Sequence, residues 1–251
     1  MATFVLAHGG WHGAWCWDPI LPGLRDAGHD VRAVDLPGHG DDRAPVSEMT
    51  REAYVRRIAE AVQSAAGPAV LVGHSMSGTL ITQVAELHPD RVAALVYVAA
   101  FIPRTGEVMT QIVELVGTES LILSSFEVDE AAGTLTLKPG RARPLFYELC
   151  DPRVAEQAES RLRPENPTVM GGEVTITEER AGSVPRYIVE CLHDQAIPHA
   201  AQREMQRLFP ALEVFSLDAD HSPFYSATDD LVRCLVSVAD QVPCDQKKIH
   251  A

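Results

Sequence analysis

Ser75 lies where the apolar run Val70-Leu71-Val72 gives way to a turn of small residues, Gly73-His74-Ser75-Met76-Ser77-Gly78. The stretch Leu80 to Leu87 then continues at helical spacing. A strand, a tight turn and a helix with serine at the apex is an arrangement that presents an oxygen nucleophile. The turn needs small neighbours so that the strained serine stands clear of the sheet. The following helix directs its N-terminal amides and dipole at the same point. The pattern departs from Gly-x-Ser-x-Gly in one place: Ser77 holds the fifth position and Gly78 follows it. Serine is small enough to be a tolerated variant. A turn of this kind without chemistry is the competing reading, so the nucleophile must be judged by its partners.

A serine nucleophile needs a base, and the base needs an acid that orients it. Histidine is the natural base because it titrates near neutrality. Of the ten histidines, His221 sits in Ser216-Leu217-Asp218-Ala219-Asp220-His221-Ser222-Pro223, after the last expected strand. Asp194 sits in Leu192-His193-Asp194-Gln195-Ala196-Ile197-Pro198, after the apolar run Tyr187–Cys191. Loops at the carboxyl ends of parallel strands open on one edge of the sheet, so Ser75, Asp194 and His221 are expected to meet there as a catalytic triad. Their order along the chain is that of the α/β-hydrolase fold. His193 reads as a strand-end residue and His74 as a packed neighbour of the serine. Asp218 and Asp220 are too close in sequence to His221 to reach round to its ring. His29, His39, His88, His199 and His250 read as turn or surface residues.

A tetrahedral intermediate also needs two donors for its oxyanion. The expected pair is the backbone N–H of Met76, just after the nucleophile, and that of Gly10. Gly10 lies in the loop His8-Gly9-Gly10-Trp11-His12-Gly13 after the first strand. A dinucleotide-type phosphate cradle is the rival reading of that loop, but the spacing is not Gly-x-Gly-x-x-Gly. No His, Cys or acidic pair has metal-ligand spacing, so neither metal nor cofactor is expected.

These side chains require a scaffold. Thr3–Ala7, Asp30–Leu36, Ala69–Gly73 and Arg91–Ala99 read as buried strands, and Trp15–Ala27 and Thr50–Ala66 as helices, the second capped by Thr50. Continuous rather than alternating apolar runs imply a mostly parallel, doubly wound α/β sheet covered on both faces. The rhythm lapses after Pro103, with a hairpin expected around Gly133 and Lys138-Pro139-Gly140. It resumes with Arg186–Leu192, Ala200–Phe209, Leu212–Leu217 and Thr228–Val242. Residues 1–103 and 184–251 are therefore expected to form the core, and 104–183 a cap inserted between its halves. Residues 244–251 are polar and expected to fray.

The chain has 251 residues and a net charge of −14, enough length for one large core and the wrong sign for nucleic acid or anionic membranes. Five scattered cysteines with no CxxC pair, no basic leader and no long apolar run point to reduced thiols in the cytoplasm. The expected partner is a small-molecule ester, and a homodimer is left open.

Several stretches carry a resemblance. Phe4-Val5-Leu6-Ala7-His8-Gly9-Gly10-Trp11-His12-Gly13-Ala14-Trp15-Cys16-Trp17 is similar to the opening of plant methylesterases and hydroxynitrile lyases. That group includes the polyneuridine aldehyde esterase and salicylate-binding esterase types. Asp35-Leu36-Pro37-Gly38-His39-Gly40, Gly73-His74-Ser75, Ala99-Ala100-Phe101-Ile102-Pro103, Phe146-Tyr147-Glu148-Leu149-Cys150, Arg161-Leu162-Arg163-Pro164, Asp194-Gln195-Ala196-Ile197-Pro198 and Ala219-Asp220-His221 extend it over nearly the whole chain. The resemblance implies an α/β-hydrolase with the same triad and oxyanion donors, cleaving a small methyl or aryl ester through an acyl-enzyme. The lyases carry Thr where this chain has Gly9, and Lys where it has Ser222. That Lys stabilises departing cyanide, so the resemblance sides with the esterases. Cyanohydrin lysis, and a slow-turnover ligand-binding protein on the same fold, are the alternatives.

Overall fold

A computed structural model describes residues 1–108, 111 and 120–242. The expected fraying of 244–251 lies outside these, as do residues 109–110 and 112–119 of the insertion.

Six parallel strands form the central sheet in the order β2-β1-β3-β4-β7-β8. They are β1 (Thr3–Ala7), β2 (Asp30–Val34), β3 (Ala69–His74), β4 (Val92–Val98), β7 (Arg186–Cys191) and β8 (Glu213–Leu217). All six residues of β3 are buried. A strand with helices over both faces has no polar side, which is why its sequence runs apolar without alternation. The helices on these faces are α1 (Leu21–Asp26), α2 (Arg51–Gln63), α3 (Ser77–Leu87), α6 (His199–Leu208) and α7 (Thr228–Gln241). Helix α2 begins as its cap residue predicts, with the Thr50 side chain accepting from the Ala53 N–H at 3.2 Å. Its apolar stripe, including Tyr54, Ile58 and Val62, is buried.

The strand order reverses between β1 and β3, which sends the loops after these two strands to opposite sides of a crevice at the carboxyl edge. The first-loop glycines and Ser75 therefore face each other across it.

The expected helix Trp15–Ala27 is broken. The structure has a 3₁₀ turn, Ala14–Trp17, and then α1. Pro19 has no N–H to continue a helix through that point, whereas Pro22 fits in the first turn of α1. Strand β2 stops at Val34, short of Leu36.

Residues 104–183 leave the sheet after β4 and return at β7. Among them are the antiparallel hairpin β5 (Phe126–Asp129) and β6 (Thr134–Leu137), with Gly133 at φ +67° in its turn. Two helices, α4 (Ala142–Phe146) and α5 (Pro152–Arg161), follow.

Gly78 is the tightest packing point between α3 and the segment after β4. A Cβ there would lie 2.1 Å from the Phe101 carbonyl oxygen. Backbone on both sides cannot yield cheaply, so Gly78→Ala should cost about 3 kcal/mol or more of unfolding free energy, at the upper end of overpacking effects. Urea denaturation beside wild type measures it, and a loss below about 1 kcal/mol would mean that the turn can relax.

Candidate active site

Ser75 has φ +52°, a left-handed conformation that a residue with a Cβ adopts at a cost of about 1–2 kcal/mol. Its surroundings over-determine that geometry. Its N–H donates to Val98 C=O at 3.2 Å, and its own carbonyl accepts from Phe101 N and Gly78 N, both at 3.1 Å. Gly73 is required because a Cβ there would come within 2.9 Å of Ser77 O and of Ile81 Cδ1. The departure at Ser77 has a structural use: its hydroxyl donates to the His8 carbonyl and so ties the first loop to α3. The close approach usually reserved for the fifth position falls on Gly78 instead.

His221 and Asp194 meet. His221 Nδ1 lies 2.8 Å from Asp194 Oδ2. The carboxyl group also accepts from the amides of Ala196 and Ile197, each at 2.8 Å to Oδ1, and from Gln202 Nε2 at 3.4 Å. Four donors thus fix one acceptor, and an acceptor at Nδ1 requires His221 to carry its proton there. Nε2 is left for the crevice. The His74 ring, beside Ser75, lies 4.7 Å from the His221 ring, centroid to centroid, and its Nε2–H donates to the His221 carbonyl at 2.8 Å. Phe146 of α4 stacks on the other side of His221, with centroids 5.5 Å apart. Ser75, Asp194 and His221 are all buried.

The rival acids stand elsewhere. Asp218 pairs with His193 on the exposed surface at 2.6 Å. Asp220 is a buried scaffold residue: it accepts from Leu149 N, Ser222 N and Ser226 Oγ and so ties the His221 loop to the inserted segment.

Gly9 lies directly against the nucleophile, since a Cβ on it would be 2.7 Å from His74 Nδ1 and 2.9 Å from Ser75 Cβ. A Cβ on Gly10 would be 3.8 Å from Met76 Sδ. Among the described residues the Gly10 and Met76 amides have no acceptor. Both N–H groups are therefore free to donate to a ligand oxygen.

Sequence reasoning missed the polar groups behind this loop. His8 Nδ1 is 2.8 Å from the Gly9 carbonyl, and its Nε2 accepts from Leu36 N at 3.1 Å. His12 Nδ1 is 2.8 Å from the Gly10 carbonyl, and its Nε2 is 2.8 Å from the Tyr147 hydroxyl. Their spacing within one loop, His8-x-x-x-His12, was the available signal. His39, expected as a turn or surface residue, lies in the turn after β2 but is fully buried. The reason is Glu165, which is also fully buried and lies 3.1 Å from His39 Nε2. Tyr54 Oη and Asn166 N donate to the same carboxyl group, at 2.7 and 3.0 Å. Nothing near Glu165 in sequence announces a contact to Tyr54, 111 residues away.

Among the described residues no group of three or more His, Cys, Asp or Glu is placed to hold a metal ion, and no helix is long and apolar enough to cross a membrane.

The family model described as "Alpha/beta hydrolase family" matches residues 4–233. Methylesterase 7 of Arabidopsis thaliana is 34% identical over 250 residues, covering 95% of this chain and 96% of that one. A pyrethroid hydrolase of Sphingobium wenxiniae is 33% identical over 248 residues, covering 96% of this chain and 88% of that one. The crystal structure of polyneuridine aldehyde esterase superposes with a TM-score of 0.85 at 26% identity, over 96% of this chain and all of that one.

Burial holds three rings of the site neutral. It lowers the His8 pKa to about 4, helped by nearby His39, and the His12 pKa to about 3. His74 falls well below the ordinary value, through burial and then through its neighbour His221. In the unfolded chain each ring takes a proton near 6.5. The unfolded state thus binds more protons below that pH, and stability, full above it, falls as pH drops toward 4. Each ring contributes up to about 1.4 kcal/mol per pH unit, so the three together approach about 4. Urea midpoints should fall steeply between pH 6.5 and 4.5. A midpoint equal at pH 7 and pH 5 would show that these rings are not kept neutral.

Proposed function

The chain belongs to the alpha/beta hydrolase family, and from that premise we infer that it cleaves small carboxylic esters through an acyl-enzyme on Ser75. One observation carries the reading. The His221 imidazole, its Nδ1–H held by a carboxylate that accepts from three further donors, is supported by His74, the residue next to a serine at φ +52°, and the Gly10 and Met76 amides are free. The esterase and methylesterase relatives support the ester class. The substrate is a methyl or aryl ester of a small metabolite.

In the mechanism, His221 Nε2 removes the proton from Ser75 Oγ as the oxygen attacks the ester carbonyl. The carbonyl oxygen gains charge and is held by the Gly10 and Met76 amides. The protonated His221 then gives its proton to the leaving alcohol. A water molecule, deprotonated by the same nitrogen, releases the acid and restores Ser75. Asp194 keeps the His221 proton on Nδ1 and stabilises the imidazolium. Residues 104–183 act as a cap, supported by Phe146 against His221 and Leu149 N on Asp220. The cytoplasm is the proposed compartment, supported by four buried free thiols, Cys16, Cys150, Cys191 and Cys234.

The lyase alternative lacks support from the residues. Ser222 is fully buried and offers a neutral hydroxyl where the similar lyases have Lys. An anion leaving in a water-poor site needs a cation or several donors.

Three measurements test the reading. Ser75→Ala should remove at least about 99% of aryl-acetate hydrolysis while the protein stays folded, given the losses typical of a missing triad member. It should also lose fluorophosphonate labelling. Asp194→Asn should lower kcat by about 10³-fold or more, because an amide favours the wrong tautomer of His221. Asp220→Asn should instead lower the melting temperature, since its new NH₂ would face Leu149 N–H. Equal kcat losses at the two positions would mean that the orienting acid is misassigned. Finally, wild type should hydrolyse aryl or methyl esters with little cyanide release from an aromatic cyanohydrin, and the reverse order of rates would replace the esterase reading with the lyase one.

A further inference from the structure

The amide assigned to the oxyanion sits in a Gly-Gly pair. Gly9 and Gly10 have no side chains to fix the peptide between them. That peptide could turn over, and the consequence would be severe: a carbonyl oxygen, not an N–H, would then face the developing negative charge. Some group must hold it.

The peptide is trans, so the Gly9 carbonyl points opposite to the Gly10 N–H. Whatever grips the carbonyl therefore aims the amide. That group is His8. Its Nδ1 lies 2.8 Å from Gly9 O, and a carbonyl can only accept, so Nδ1 is the protonated nitrogen. The other nitrogen confirms the tautomer independently, because Leu36 N–H donates to His8 Nε2 at 3.1 Å. The ring is fully buried, which excludes water as a substitute donor. His8 itself follows the last residue of β1, and its carbonyl is anchored by the Ser77 hydroxyl at the start of α3.

The flanking peptides are tied as well. Gly10 C=O accepts from His12 Nδ1–H, whose Nε2 is occupied by the Tyr147 hydroxyl. Trp11, at φ +64°, has its carbonyl held by Arg163 N at 2.9 Å. Three consecutive carbonyls are thus each held by a named donor.

We propose that His8 is a positioning residue for ester cleavage: its Nδ1–H, gripping the Gly9 carbonyl, sets the direction of the Gly10 N–H toward the oxyanion. This rests on the proposed role of the Gly10 amide. His8 touches no substrate and exchanges no proton during turnover.

Two polar substitutions separate aiming from mere filling of space. The amide nitrogen of Asn can take the place of Nδ1 and still donate to Gly9 O. That of Gln reaches the Nε2 side, toward Leu36. Both variants are compared with wild type by kcat per fluorophosphonate-titrated site, by KM, and by inhibition with a trifluoromethyl ketone that forms a tetrahedral adduct on Ser75. Inhibition by the product acid serves as the ground-state control. His8→Gln should lower kcat by about 10- to 100-fold, within the range of a lost oxyanion donor. Its affinity for the ketone should fall by the same factor, with KM and product inhibition nearly unchanged. His8→Asn should keep at least about tenfold more of both kcat and ketone affinity than His8→Gln. Melting curves identify any common loss of stability, which a space-filling role would produce in both variants. Equal kcat and equal ketone affinity in the two variants would overturn the proposal. If wild type binds the ketone no more tightly than the product acid, the oxyanion reading of Gly10 fails first, whatever the variants do.

Discussion

The constraint on which the site depends is the left-handed serine at the end of β3. One residue at φ +52° is unfavourable by about 1–2 kcal/mol, and it persists only because its neighbours leave no alternative. Val98, Phe101 and Gly78 hold its backbone groups. Gly73 and Gly78 let α3 approach so closely that a single Cβ at either would collide with backbone. The strain is local, but the packing that sustains it extends through β3, β4 and α3, the most buried part of the sheet. Stability of the fold and the placement of Ser75 are therefore one problem with one solution.

The same economy governs the polar groups around the serine. A crevice closed to water strengthens every dipole inside it and penalises every dipole left unpaired. His8, His12 and His74 meet this condition as neutral rings, each donating one N–H to a backbone carbonyl. They carry no charge that could compete with the imidazolium that the proposed mechanism forms at His221. Two hold carbonyls of the first loop, and the third holds the carbonyl of His221 itself. The inserted segment joins this network through Tyr147 on His12 and Leu149 on Asp220.

Much of this was legible in the sequence. The sheet could be read because buried parallel strands are written as unbroken apolar runs, and the order Ser75, Asp194, His221 because each follows such a run. The hairpin at Gly133 announced itself by turn residues. The break at Pro19 is a local effect, since a proline has no N–H to carry a helix through. What could not be read are contacts made in three dimensions by residues far apart in the chain. Glu165 lies between two prolines in a loop, yet it buries its carboxyl between Tyr54 and His39. His39 looked like a turn residue for the same reason: its partner comes from the insertion, 126 positions later. Local spacing reports which side chains share a face of one element, not which loops are pressed together above a sheet.

Gly9 shows how far a site's chemistry is a packing decision. The similar lyases carry Thr at this place, and the sequence alone suggests a simple exchange of function by side chain. The structure opposes it. A Cβ on Gly9 would press to 2.7 Å from His74 Nδ1, and His74 cannot retreat without releasing the His221 carbonyl that it holds at 2.8 Å. Glycine at 9 and histidine at 74 are therefore linked choices. A side chain at 9 requires a different residue at 74, and that in turn changes how the base is supported. The position reads as a specificity switch in the sequence, but in the fold it is one face of a contact that also sets the geometry of proton transfer.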